Sequence, residues 1–143
     1  MADVDAALAE IARVTRPGGR FVHLATNWGS VYWSGGDEEL TSRVLSAWES
    51  HAAHPNLPVT LPSLLEANRF DAVHQTPVTI MNPRFHPNTF SYGAARLMAA
   101  FARSTGALDQ TGTAAWHESL AKADAAGTYF FSSVPVLTAA VRR

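Results

Sequence analysis

The sequence contains no cysteine. That single absence excludes disulfides, thiolate metal sites and thiol nucleophiles together. No apolar run approaches the ~18 residues that a transmembrane helix needs, so a membrane is not an expected partner. Neither sign of charge dominates either: 11 basic and 12 acidic side chains leave a formal net charge of -1. Nucleic-acid binders carry a basic patch or a strongly basic domain. Here the basic residues are scattered, apart from Arg142-Arg143, and nucleic acid is not expected. The start Met1-Ala2-Asp3 lacks the apolar stretch of a secretory signal. With the missing cysteine, this points to a cytoplasmic protein. What is present is ordinary globular material: 47% of the 143 residues are hydrophobic, enough for one packed domain over 1–143.

Along the chain, Val4, Ala7, Leu8, Ile11 and Val14 fall at helical spacing, with Asp3 as the N-cap. Pro17-Gly18-Gly19 stops this helix. Phe21 to Thr26 follows as a strand, apolar on both faces apart from His23, as suits a strand covered by helices. Asn27 to Gly36 reads as a loop holding Trp28, Tyr32 and Trp33. Asp37 caps a helix running to about Ala53 through Leu40, Val44, Leu45 and Trp48. Thr60 and Pro62 open a short helix ending near Asn68, a residue that tolerates the left-handed cap. Asp71 to Ile80 reads as a strand, with Pro77 marking an edge or a bulge. Helices are expected over about 91–104 and 113–126, and a last strand over 129–141 with Pro135 inside it. No internal repeat, low-complexity tract or linker interrupts the chain. Helix–strand alternation gives an α/β fold.

The stretch Ala7-Leu8-Ala9-Glu10-Ile11-Ala12-Arg13-Val14-Thr15-Arg16-Pro17-Gly18-Gly19-Arg20-Phe21 resembles the L-x-E-hydrophobic-x-R-V-x-[RK]-P-G-G motif of class I, S-adenosylmethionine-dependent methyltransferases of small molecules. There it forms the helix before the fifth strand, the turn and the strand itself. Leu61-Pro62-Ser63-Leu64-Leu65-Glu66-Ala67-Asn68-Arg69-Phe70 is similar to the family's L-P-x-L-L-x-x-A-G-F helix before the sixth strand, with Asn68 and Arg69 in place of alanine and glycine. Tyr129-Phe130-Phe131-Ser132 resembles the seventh strand, which in the family lies antiparallel between the fifth and the sixth. The resemblance implies the C-terminal half of a Rossmann-like sheet: its last three strands, the final one antiparallel, with a lid-like helical insertion over about 82–127. It further implies S-adenosylmethionine as cofactor. The family's glycine-rich loop and ribose-binding acid are absent, since the sequence begins where the fourth strand would end. Cofactor-binding residues are therefore not expected here.

In open α/β sheets ligands sit outside the carboxyl ends of the strands, which puts Thr26, Asn27 and Trp28 nearest a substrate. Trp28, Tyr32 and Trp33 either wall an aromatic pocket or cover the sheet as core. His86 lies in the insertion, as a general base or as a loop-stabilising imidazole. Phe90 and Tyr92, at the start of a helix, are further substrate-contact candidates. Leu97, Met98 and Phe101 have the spacing of a docking stripe. His23 reads as a hydrogen-bonded interior residue. His51 and His54 lack a third ligand, so no metal site is expected. No catalytic residue stands out. The expected function is methyl transfer to a small organic acceptor. The alternatives are a non-catalytic subunit pairing with a full-length methyltransferase, or a small-molecule binding module. The strand Phe21–Thr26, lacking proline, lysine and acid, should expose an unpaired edge. That edge would take an N-terminal-half partner or a second copy.

Overall fold

The computed structural model describes residues 3–143. Its elements are α1 (Val4–Val14), β1 (Arg20–Ser34), α2 (Glu38–Trp48), α3 (Leu57–Ala67), β2 (Phe70–Pro77), β3 (Ile80–Asn82), α4 (Phe90–Ser104), α5 (Gln110–Ala125) and β4 (Phe130–Arg142). A 3-10 turn, Glu49–His51, extends α2. The fold is α/β: five helices and an open antiparallel sheet in the order β1-β4-β2, with β3 also paired to β4. Contacts divide the chain into two units. One comprises the segment ending at Gly29 with Ala52–Thr79 and Val134–Arg143. The other comprises Ser30–His51 and Ile80–Ser133.

In the first unit, α1 and α3 pack on each other over one side of the strands. Val4, Leu8, Ala12, Leu61, Leu65, Phe70 and Ala140 form the core, flanked by Phe21 and Val73. Asp3 caps α1 by accepting from the Ala6 amide at 2.8 Å. Gly18, at φ 75°, makes the turn that follows. The Gly18 amide donates to the Arg142 carbonyl, and the Arg142 amide donates to that of Gly19, both at 2.8 Å. The alternation that buries Phe21 turns Val22 and Leu24 to the opposite side, where they are 63% and 59% exposed. That side is not covered by α1 or α3.

Helix α3 starts earlier than its sequence suggests. Asn56 is its N-cap residue, Pro58 lies in the first turn, and Pro62 is an interior residue. Proline has no amide to donate to the carbonyl four residues back, which here is that of Pro58. The Gln75 side-chain amide donates to that carbonyl instead, at 2.8 Å. The helix does not end in a left-handed Asn68, whose φ is -94°; Arg69, at φ 64°, takes that conformation.

Two strand boundaries also differ from expectation. Asp71–Ile80 is split into β2 and β3. The irregularity in β2 falls between Asp71 and His74, where Ala72 takes φ 50°, rather than at Pro77. Proline at Pro77 is tolerated because β2 ends the strand order. Pro135 sits in the central strand at the junction where pairing passes from β3 to β2. There its carbonyl accepts from the Val78 amide, so its missing amide breaks neither of those two ladders.

The second unit is built on aromatic rings. Trp33 packs on Phe131 with ring centroids 4.6 Å apart and meets Trp116 edge-on at 5.5 Å. The Trp116 indole donates to the Thr41 hydroxyl at 2.9 Å, tying α5 to α2. Arg43 donates to the Ala107 carbonyl at 2.7 Å. Helix α4 packs on both α2 and α5. Thr89 caps α4 and Asp109 caps α5, each through its side chain.

Candidate functional site

The largest departure from the sequence reading is the length of β1. The segment expected to be a loop after Thr26 continues as strand to Ser34, because β-branched and aromatic residues at alternating positions suit a pleated surface. Thr26, Asn27 and Trp28 therefore lie within the strand and not at its carboxyl end. All three are half-buried, and the Trp28 amide donates to the Pro55 carbonyl at 3.2 Å.

The carboxyl end of β1 opens instead on a depression of about 400 Å³ in the second unit, lined by Tyr32, Ser34, Gly36, Glu38, Thr41 and Glu49 among others. Tyr32 is 57% exposed there, with its ring 6.3 Å from that of Phe130. Trp33, next in the chain, is buried, and its indole donates to the Tyr129 hydroxyl at 2.9 Å. Burial foremost raises the Tyr129 pKa above the usual phenol value. Trp33 is thus packed as core although it also borders the depression, while the Tyr32 side chain is exposed.

The candidates of the insertion separate similarly. His86 is exposed; its Nδ1 accepts from the Asn88 amide at 3.2 Å, and its carbonyl accepts from the Thr89 hydroxyl at 2.7 Å. It organises the turn that leads into α4. The same segment is anchored by Arg84, which grips Asp124 through Nε at 2.6 Å and Nη2 at 3.2 Å. Asp124 also accepts from the Phe85 amide. Arg84 first and that amide second hold the Asp124 carboxyl below the usual carboxylate range. Phe90 is 41% exposed, its ring 5.9 Å from Phe131. Tyr92 is half-buried against Phe85 and His117.

Tyr92 also borders a feature that the sequence reading missed. Between α4 and α5 runs an open groove of about 650 Å³, lined by Tyr92, Arg96, Ala99, Arg103, Thr113 and His117 with their neighbours. Arg103 donates to the Thr113 hydroxyl at 3.2 Å. The Nε2 of His117 is buried without a hydrogen-bond partner. Burial first and the charge of Arg96 second lower the His117 pKa from the usual imidazole value. The available signal was the seven-residue spacing of Arg96 and Arg103, two helical turns and hence one face. Leu97 is exposed at 59%, while Met98 of the same expected stripe is buried. Docking therefore holds for Met98 and half-buried Phe101, not for Leu97. His23 also departs from expectation: its Nδ1 is buried but makes no hydrogen bond.

The glycine pair at the turn from β1 to α2 does not form a cradle for a nucleotide-type cofactor. Glycines that cradle a phosphate leave room for the ligand. The pair at the turn from β1 to α2 does not: a Cβ at Gly35 would meet the Thr128 carbonyl oxygen at 2.4 Å, and one at Gly36 a Leu120 methyl at 2.7 Å. The chain's own atoms fill that space, and the Asp37 carboxylate already caps the helix behind it, accepting from the Leu40 amide at 2.9 Å. Among the described residues no cluster of three or more His, Asp or Glu side chains could hold a metal ion, and no helix is long and apolar enough to cross a membrane. No protein-family model matches the chain, and no curated protein matches it either.

Proposed function

We propose that the chain is the acceptor-side half of an S-adenosylmethionine-dependent methyltransferase of small organic molecules. The observation that carries this reading is the strand order: β4 stands antiparallel between β1 and β2. The segments resembling the methyltransferase motifs lead into β1 and β2, and the third resembling segment leads into β4. Fifth, seventh and sixth strands stand in that order in the arrangement the resemblance implies. Methyl transfer is an in-line displacement whose rate depends heavily on holding the acceptor in line. The chain's part is that positioning, with Tyr32 at the carboxyl end of β1 as the exposed contact. S-adenosylmethionine comes with a second half carrying the glycine-rich loop, docked on the outer edge of β1.

The filled space at Gly35 and Gly36 supports a second reading, a non-catalytic subunit that pairs with a full-length methyltransferase. One experiment separates the two. The isolated chain should bind S-adenosylmethionine no tighter than about 1 mM, about -4 kcal/mol. Co-expression with a glycine-loop half of this methyltransferase type should yield a complex that binds it in the micromolar range and transfers labelled methyl to small acceptors. A complex that forms and binds cofactor without transfer favours the regulatory reading. No complex with any such half removes both. Micromolar binding by the isolated chain means a cofactor site of another design.

A further inference from the structure

We infer that the groove between α4 and α5 binds a small aromatic carboxylate, a site independent of the methyl-transfer reading. Arg96 and Arg103 lie seven residues apart on α4, about 10 Å along the axis and on one face. Both residues are exposed and border the same groove. No aspartate or glutamate lines it. Among the described residues, the ion pairs formed by basic side chains are those of Arg13, Arg84, Lys122 and Arg143. Arg96 and Arg103 have no carboxylate partner, and Arg103 spends one N–H on the Thr113 hydroxyl. A planar guanidinium with free donors fits the two oxygens of a carboxylate.

The space beside the arginines is lined mainly by small side chains. Ala99, Ala100 and Ala114 give it a shallow apolar floor, and Gly93 adds no side chain. Tyr92 and His117 wall one end with their rings 5.2 Å apart, and exposed Leu97 stands at the rim. Phosphate suits the site less well. The first turn of α5, which could have supplied amides to a dianion, is occupied by the Asp109 carboxylate, accepting from the Gly112 amide at 2.7 Å.

The test is calorimetric titration of the full chain with benzoate, its neutral isostere benzamide, and inorganic phosphate. Benzoate should bind with a Kd of about 1 mM or tighter, and benzamide at least about tenfold more weakly. In the amide NMR spectrum the shifts should concentrate in 92–103 and 110–117. Arg96→Gln should weaken benzoate by about tenfold with an unchanged melting temperature, since Arg96 is exposed and makes no hydrogen bond to be lost. Arg13→Gln, which removes the same charge far along the chain, should leave the affinity unaltered. Equal binding of benzoate and benzamide, tighter binding of phosphate, no effect of Arg96→Gln, or no saturation by about 20 mM benzoate would each overturn the assignment.

Discussion

Trp33 and Tyr32 are adjacent in the chain and opposite in environment, and their substitutions should diverge accordingly. Trp33→Ala removes a ring packed on Phe131 and Trp116 and takes away the donor to the Tyr129 hydroxyl. It should cost about 3–5 kcal/mol in urea unfolding, as large aromatic truncations in cores do. Tyr32→Ala should change stability by less than about 1 kcal/mol, because the side chain is already 57% exposed. Arg69 allows a change of opposite sign. A non-glycine residue at φ 64° is held in a sparsely allowed region, and Arg69 is tied in through its backbone amide and carbonyl. Arg69→Gly should therefore raise stability by about 0.5–1 kcal/mol, read as a higher denaturant midpoint at unchanged slope. The resembled motif has glycine at this position. That alone could not show whether the chain avoids the left-handed turn or bears it; the structure shows that Arg69 bears it.

His117 gives a pH dependence whose sign follows from its surroundings. Phe85 and Tyr92 press on its ring. Burial, then the Arg96 charge, lower its pKa on folding. Above the unfolded value of about 6.5 the imidazole is neutral in both states and contributes no slope. As the pH falls through that value the unfolded chain takes up the proton first, so stability declines until the folded imidazole titrates as well. The melting temperature of His117→Gln should fall less than that of the parent between about pH 7 and 5. Parallel curves for the two proteins would mean that the burial of this ring carries no proton linkage.

At the scale of elements, the starts of α1 and α2 were legible from their caps, while Asp109 was missed as the cap of α5, which begins at Gln110 and not near 113. Asp3 and Asp37 mark boundaries that the structure keeps, whereas α2 ends at Trp48 and its 3-10 turn reaches only His51, short of the expected Ala53. Strand limits were less legible, because β1 beyond Thr26 shows aromatics and glycine that suit a loop as well as a pleated surface. Helix α3 was misread for a specific reason. A proline inside a helix is expected near its start, and what makes Pro62 tolerable lies 13 residues downstream on β2. The Gln75 side chain donates both to the Pro58 carbonyl and to the Thr138 hydroxyl, which is fully buried. Gln75→Ala should cost about 1–3 kcal/mol by leaving those acceptors unserved. Pro62→Ala supplies an amide that can take over the Pro58 carbonyl. In that background Gln75→Ala should cost measurably less, and a double-mutant cycle reads the coupling. Additive effects would show that the carbonyl is satisfied independently of Pro62.

At the scale of the whole molecule the open question is what meets β1. It ends the strand order, and its sequence from Arg20 to Ser34 contains no proline, lysine or acidic residue, the devices that usually blunt an edge. In the first unit, α1 and α3 cover one side of the strand, and Val22 and Leu24 stand exposed on the other. An edge strand beside exposed apolar side chains forms a template for another chain, here over the first residues of β1, since farther along the Trp28 and Gly29 amides donate to Pro55 and Asn56. The isolated protein should therefore show concentration-dependent association in sedimentation or light scattering. A glycine-loop half that occupies β1 should suppress it. Because Val22 and Leu24 are 63% and 59% exposed, a lysine at either position keeps its charge in water and adds the missing edge protection. Val22→Lys with Leu24→Lys should then reduce self-association while leaving the melting temperature within about 2 °C, consistent with surface changes of about 0.5 kcal/mol or less. Reduced association with a large drop in melting temperature would instead mean that these side chains stabilise the unit itself. A parent protein that stays monomeric at high concentration and melts cooperatively would show that β1 does not act as a template for another chain.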